Sequence, residues 1–218
     1  MSTISVLPVV PPLLRAIEAS EPFETALLKL RAGDAGIGAG DLFWSPEKLV
    51  SNLAIVLEPD VSARDAMQMI PLAMVALGDC LGVLVPPQVA VQFRHPLQIV
   101  VNGGVAGSIT AAMAPTQSDD EVPDWLVVGI ETGLARADDA LAPGLQPDLT
   151  TLDEEGSENL NHIKFIETYA RHFLSWMAIW QEEGFAPIAR SWKFKAEDES
   201  DPDMVKIHQA VANVERAE

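Results

Sequence analysis

The chain has 218 residues, 48% of them hydrophobic, which suits one globular domain with a sizeable core and excludes a disordered chain. Its 14 basic and 32 acidic side chains give a formal charge of -18. That argues against nucleic acid, which needs a basic face, and against an anionic membrane surface. Cys80 is the only cysteine, so no intramolecular disulfide exists and a reducing, cytoplasmic setting is expected.

Met1 to Pro12 holds three prolines and no helical period, and is expected to lie as an extended arm. It has no basic region followed by an apolar core and a cleavage site, so no signal peptide is expected. Glu21 to Arg31 reads as a short helix with Phe23, Ala26, Leu27 and Leu30 on one face. The run Gly33-Asp34-Ala35-Gly36-Ile37-Gly38-Ala39-Gly40 breaks regular structure. It serves either as a connector or, in the right setting, as a cradle for phosphate. Asp41–Trp44 and Val50–Leu57 read as strands joined by Ser45-Pro46-Glu47-Lys48, a turn with proline at its second position.

Ser62 to Leu81 reads as a helix capped by Ser62, with Asp65 three residues on. Ala66, Met67, Ile70, Met74 and Leu77 recur at helical spacing, and Pro71 should kink or split the pattern. Met69–Val85 is apolar but carries Asp79 and two glycines, so it reads as a buried helix and not a membrane span. Cys80, with no His or Lys close by in sequence, reads as a core thiol.

Gln88 to Phe93 reads as a strand leading into a hairpin over Phe93 to Met113. Ile99, Val100 and Val101 are β-branched, Asn102-Gly103-Gly104 supplies a tight turn, and a small-residue strand returns. Pro96, which has no N–H, belongs at the strand entrance. Physics alone makes this a surface hairpin whose small residues at 106–108 admit close approach of another molecule. Asp124 to Leu134 reads as a further strand, and its apolar stretch Leu126 to Ile130 could pair across a dimer if it lay at a sheet edge. Ala135 to Glu155 reads as an acidic loop, Asn159 to Gln181 as an amphipathic helix ended by Gly184, and Phe185 to Trp192 as a second short helix. No His, Asp or Glu spacing matches a metal site: His162 and His172 are ten residues apart. A domain over 1–192 and an acidic tail over 193–218, with a weak helix from about Asp203, complete the division.

Four segments together resemble the biotin/lipoate protein ligase family. That family opens its hairpin with Lys-Trp-Pro-Asn-Asp, which falls on Arg94-His95-Pro96-Leu97-Gln98. After the turn come Lys, an apolar residue, a small residue, Gly and Ile, which fall on Val105-Ala106-Gly107-Ser108-Ile109. Ser45-Pro46 with Asn52-Leu53, the strand Val128-Gly129-Ile130, and Glu183-Gly184 through Trp192 match in the family's order. Glu131 and Gly133 stand where its strand carries Gly and Asn. The resemblance implies an α+β fold, a mixed, largely antiparallel sheet with helices packed on one face. It implies a substrate-binding surface at Arg94, His95, Gln98, Val105, Ala106, Gly107, Ser108 and Gly129.

The family's chemistry, again by resemblance, is activation of a carboxylic acid by ATP and magnesium, then transfer to a lysine of a carrier domain. A carboxylate approaching a triphosphate needs cations. The family's hairpin lysine is Val105 here, its Asp is Gln98, and its alternating Gly-Arg loop has no interleaved arginine. Arg94 is the nearest candidate cation, with Lys48 second. Two functions follow: a non-catalytic member that binds a small acid of the biotin, lipoate or fatty acyl type or a carrier domain, or a ligase with a relocated cation. An interaction module acting through the acidic tail is a third.

Overall fold

The computed structural model describes residues 7–137, 146, 148–157 and 160–209. One seven-stranded sheet runs in the order β1-β2-β3-β7-β6-β5-β4. Its strands are β1 (Arg15–Glu18), β2 (Asp41–Trp44), β3 (Val50–Leu57), β4 (Val91–Arg94), β5 (Gln98–Val101), β6 (Gly104–Met113) and β7 (Leu126–Gly133). β1 pairs β2 in parallel and every other neighbour is antiparallel, so the sheet is mixed and largely antiparallel, as expected.

Alternation along the strands decides what each face meets. Leu42, Trp44, Leu53, Ile55, Val128 and Ile130 point to the main core under three helices. These are α3 (Met69–Leu84), α4 (His162–Glu183) and α5 (Ala186–Lys195). Phe43, Ala54, Val56, Ala112 and Val127 point the other way, into a smaller cluster closed by Phe23, Ala26 and Leu27 of α1 (Pro22–Arg31). The three larger helices thus share one face, and α1 covers part of the second.

The apolar helix divides as Pro71 requires, but upstream of it. α2 (Ala63–Ala66) ends, and α3 restarts at Met69, with Ser62 Oγ accepting from Asp65 N at 3.3 Å. Pro71 thereby falls in the first turn of α3, where a backbone N–H has no intrahelical partner to lose. Residues 63–84 are long and apolar enough to cross a bilayer, yet most of that stretch is packed inside the core. Gly78 allows this: a Cβ there would stand 2.9 Å from Phe93 Cζ and 3.0 Å from Lys195 Cδ.

The strand over Leu126 to Gly133 lies mid-sheet, between β3 and β6, so its backbone is paired on both sides and the dimer pairing weighed for it is ruled out. The edges are β1 and β4. Of the expected arm, residues 1–6 lie outside the described residues, as do 138–145 and Pro147 of the acidic loop, Asn159 and 210–218 of the tail. α5 runs to Lys195, three residues past the expected end, and 204–209 form the weak helix, with Asp203 Oδ1 accepting from Lys206 N at 3.0 Å.

Candidate functional site

The hairpin forms as its residues dictate. Asn102 and Gly103 take φ of 48° and 93°, the successive positive values of a two-residue turn, and Gly104 begins β6. Cross-strand neighbours share a face. The pairs Arg94↔Gln98, Gln98↔Ser108, Ser108↔Glu131 and Glu131↔Asn52 therefore set five polar residues in one row across β4, β5, β6, β7 and β3. The row lies on the face opposite α3–α5, beside the part that α1 covers.

Arg94 ends this row, and it is already paired. Its Nε and Nη2 donate to the two oxygens of Glu197 at 2.7 and 3.0 Å, and Nη2 donates to Gly103 O at 3.4 Å. The hydrogen bond to Glu197 raises the guanidinium's pKa, so it stays charged. His95 packs on Trp192 with ring centroids 4.5 Å apart, and its Nε2 lies 3.0 Å from Ser200 Oγ. Both tail partners were invisible to sequence reasoning, because contacts about 100 residues apart leave no local pattern. Asn52 and Glu131 were legible in principle, from alternation along their strands.

A cleft of about 670 Å³ adjoins Arg94, lined by Asn102, Gly103, Gly104, Leu149, Thr150, Glu154 and Glu155. Its polar groups are linked. Asn102 Nδ2 and Thr150 Oγ1 both donate to Glu155 at 2.6 Å, and Glu154 is ion-paired with Arg136.

The remaining predicted positions are taken up by the fold. Val105 N donates to Asp148 O and Val105 O accepts from Thr150 N, so this residue is bound into the segment beside the cleft. Ala106 is buried in the main core. Gly107 pairs Ile99 and Thr132, on the core side, and a Cβ there would collide with Glu131 O of β7. Gly129 does face away from the main core, but a Cβ would stand 2.6 Å from Thr110 Cγ2 and 2.8 Å from Phe23 Cδ2 of α1. Of the eight positions, Arg94, Gln98 and Ser108 are brought into the row, His95 is beside it, and the others meet protein.

Lys48 is not near Arg94. It is exposed in the β2–β3 turn, and β3 is four strands from β4, about 19 Å at about 4.8 Å per step. Its electrostatic neighbour is His162 at the start of α4. That end of the core side holds buried polar atoms without a hydrogen-bond partner among the described residues: Trp44 Nε1, Ser51 Oγ, Thr132 Oγ1, Ser157 Oγ and His162 Nε2. Burial lowers the pKa of His162 and so keeps it neutral. Cys80 is fully buried, its thiol pKa raised by desolvation, and its Sγ is 3.7 Å from Phe165 O.

The glycine run, as it stands, does not fit a triphosphate. The glycine run's N–H groups are spent on the protein's own carboxylates: Gly36 donates to Asp34, Gly38 to Asp41, and Ala39 to Glu58. Arg15 clamps the same run, donating to Gly36 O at 2.5 Å and to Asp41 at 2.7 Å. A phosphate placed there meets three carboxylates, and the cations beside them, Arg15 and Lys29, are already paired with Asp41 and Asp34.

Comparison with known proteins adds what geometry alone does not. The profile of the Biotin/lipoate A/B protein ligase family matches residues 10–194. A biotin--[acetyl-CoA-carboxylase] ligase of Paracoccus denitrificans is 32% identical over 145 residues, 65% of this chain, and the match spans 58% of that relative's length. The crystal structure of a biotin protein ligase-like protein of unknown function from Silicibacter sp. TM1040 superposes with a TM-score of 0.78 at 32% identity, over 87% of this chain and 81% of its own. Biotin protein ligase from Aquifex aeolicus superposes at 0.65 with 10% identity, over 84% and 78%, a shared fold. A further structure of that enzyme holds biotin and ATP.

Proposed function

The chain belongs to the biotin/lipoate A/B protein ligase family, and on that premise we propose that it is a divergent, non-catalytic member that binds a small carboxylic acid at Arg94. The observation that carries this reading is where the charge lies. The polar row holds one guanidinium, Arg94, and one carboxylate, Glu131, while at the glycine run Asp34, Asp41 and Glu58 engage the backbone donors and Asp34 and Asp41 also engage the nearby cations Lys29 and Arg15. That arrangement suits one carboxylate better than a carboxylate and a triphosphate together. The cleft beside Arg94 has one apolar side chain, Leu149, among Asn102, Thr150, Glu154 and Glu155. This lining favours an acid with a polar head, biotin being the type, over a fatty acyl chain. A carrier domain is the protein partner the family premise suggests, and the buried thiol of Cys80 suits a cytoplasmic setting.

Substitution tests the placement. Arg94→Ala weakens biotin binding about tenfold or more, because hydrogen bonds to charged groups contribute about 1.5–3 kcal/mol. Lys48→Ala leaves the dissociation constant unchanged within about twofold, a surface charge about 19 Å away being screened. Calorimetric titration reads both, and the reverse pattern moves the site to Lys48.

A second reading, an active ligase or acyltransferase with a relocated cation, draws support from the name of the Paracoccus denitrificans relative. It requires acid-dependent exchange of pyrophosphate into ATP. Exchange with biotin, lipoate or octanoate that Arg94→Ala abolishes establishes it in place of the first.

A further inference from the structure

The chain carries its own carboxylate on the guanidinium assigned above. After α5 ends at Lys195, the chain turns along the free edge of β4. Ala196 bridges Phe93 in the parallel sense and Glu197 N donates to Phe93 O at 3.0 Å. Glu197 then takes Arg94 through Nε and Nη2 at 2.7 and 3.0 Å, the two-pronged geometry that a guanidinium offers any carboxylate. Three residues on, Ser200 Oγ meets His95 Nε2 at 3.0 Å and donates to Asp198 Oδ1 at 2.6 Å.

We propose that residues 197–200 form a strap in which Glu197 stands in for the acid, so that a small carboxylic acid binds Arg94 by displacing Glu197. The inference rests on the acid-binding reading above and adds its regulation. Three features make the strap releasable. The Arg94–Glu197 pair is 38% and 30% exposed at its side chains, so water and salt weaken it. Its ends are held independently: Trp192 and Ala196 are buried before it, and Pro202 and Ile207 after it, so it can lift between fixed points. The site it leaves adjoins room for a ligand, because Gly103, whose carbonyl also accepts from Arg94, lines the cleft of about 670 Å³. A tethered carboxylate competes at a constant effective concentration, so the affinity seen by a free acid is reduced by the open fraction.

The test is calorimetric titration of biotin, with lipoate and octanoate alongside, into the full chain and into Glu197→Gln, Glu197→Asp and Arg94→Ala, at low and high salt. Glu197→Gln is expected to tighten the dissociation constant about threefold to tenfold, with Glu197→Asp between it and wild type. Added salt narrows the gap. On the unsubstituted chain, saturating biotin should speed hydrogen exchange at the Glu197 amide. Equal or weaker binding by Glu197→Gln, with Arg94→Ala still defective, overturns the strap and leaves the acid site standing. Unchanged or slower exchange at Glu197 in saturating biotin overturns it too. Unimpaired binding by Arg94→Ala overturns the acid site itself. No heat from biotin, lipoate or octanoate with any variant overturns both.

Discussion

At the scale of single residues, a missing Cβ decides what stands above the sheet. Gly129 lies on the face opposite the three large helices, and Phe23 of α1 fills the space over it. Gly129→Val forces Phe23 and Thr110 apart and should cost about 1–3 kcal/mol, the range for overpacking, read as a lower midpoint in urea. Unchanged stability shows that α1 yields freely. His162 supplies the pH dependence. Burial holds its folded pKa below the usual 6.5. Above that value both folded and unfolded forms are neutral and stability is full. As pH falls through it, the unfolded chain takes the proton first and stability is lost, by at most about 1.4 kcal/mol per pH unit. The stability gap between wild type and His162→Gln should therefore shrink in wild type's disfavour from pH 7.5 to 5.5, and a gap independent of pH contradicts it. Arg94 was a candidate cation only through the family resemblance at the hairpin. Its pairing with Glu197 was not, because nothing local at either residue encodes a contact across the tail.

At the scale of elements, periodicity and punctuation carry most of the information. The strands Asp41–Trp44 and Val50–Leu57 coincide with their β-branched and aromatic runs, and the glycine stop at Gly184 adopts a φ of 75°. The helix break sits before Pro71 and not at it, since the first-turn position removes the cost that a proline inside the helix would carry. What sequence could not give is how helices are tied together. Trp176 Nε1 of α4 donates to Asp79 of α3 at 2.8 Å, and Lys195 of α5 lies 3.7 Å from the same carboxylate. Asp79, which interrupts an apolar run when read alone, is the polar tie of three helices. Trp176→Phe should cost about 1–3 kcal/mol in urea unfolding, more than a surface substitution, because it leaves a partly buried carboxylate short of a donor. A change under about 0.5 kcal/mol contradicts that role.

At the scale of the whole molecule, the family fold is kept. The seven-stranded mixed sheet with its helices matches ligase structures even at 10% identity. The frame was legible because its turn, glycine and tryptophan positions are set by backbone geometry. Of the candidate site, the shared face of Arg94, Gln98 and Ser108 follows from the hairpin register, whereas a residue open to solvent and one facing another strand can look alike in sequence; Gly107, which β7 crowds, is the example. Asp34, Asp41 and Glu58 accept from N–H groups of the glycine run, and Glu197 holds Arg94, the guanidinium proposed to take the acid. The measurement that tests this most directly is calorimetric titration of the full chain with biotin, with and without ATP and magnesium. Binding with the same dissociation constant in both conditions is the predicted result. Binding that appears only with ATP and magnesium, or tightens more than about tenfold in their presence, contradicts the account and restores adenylation chemistry to this fold.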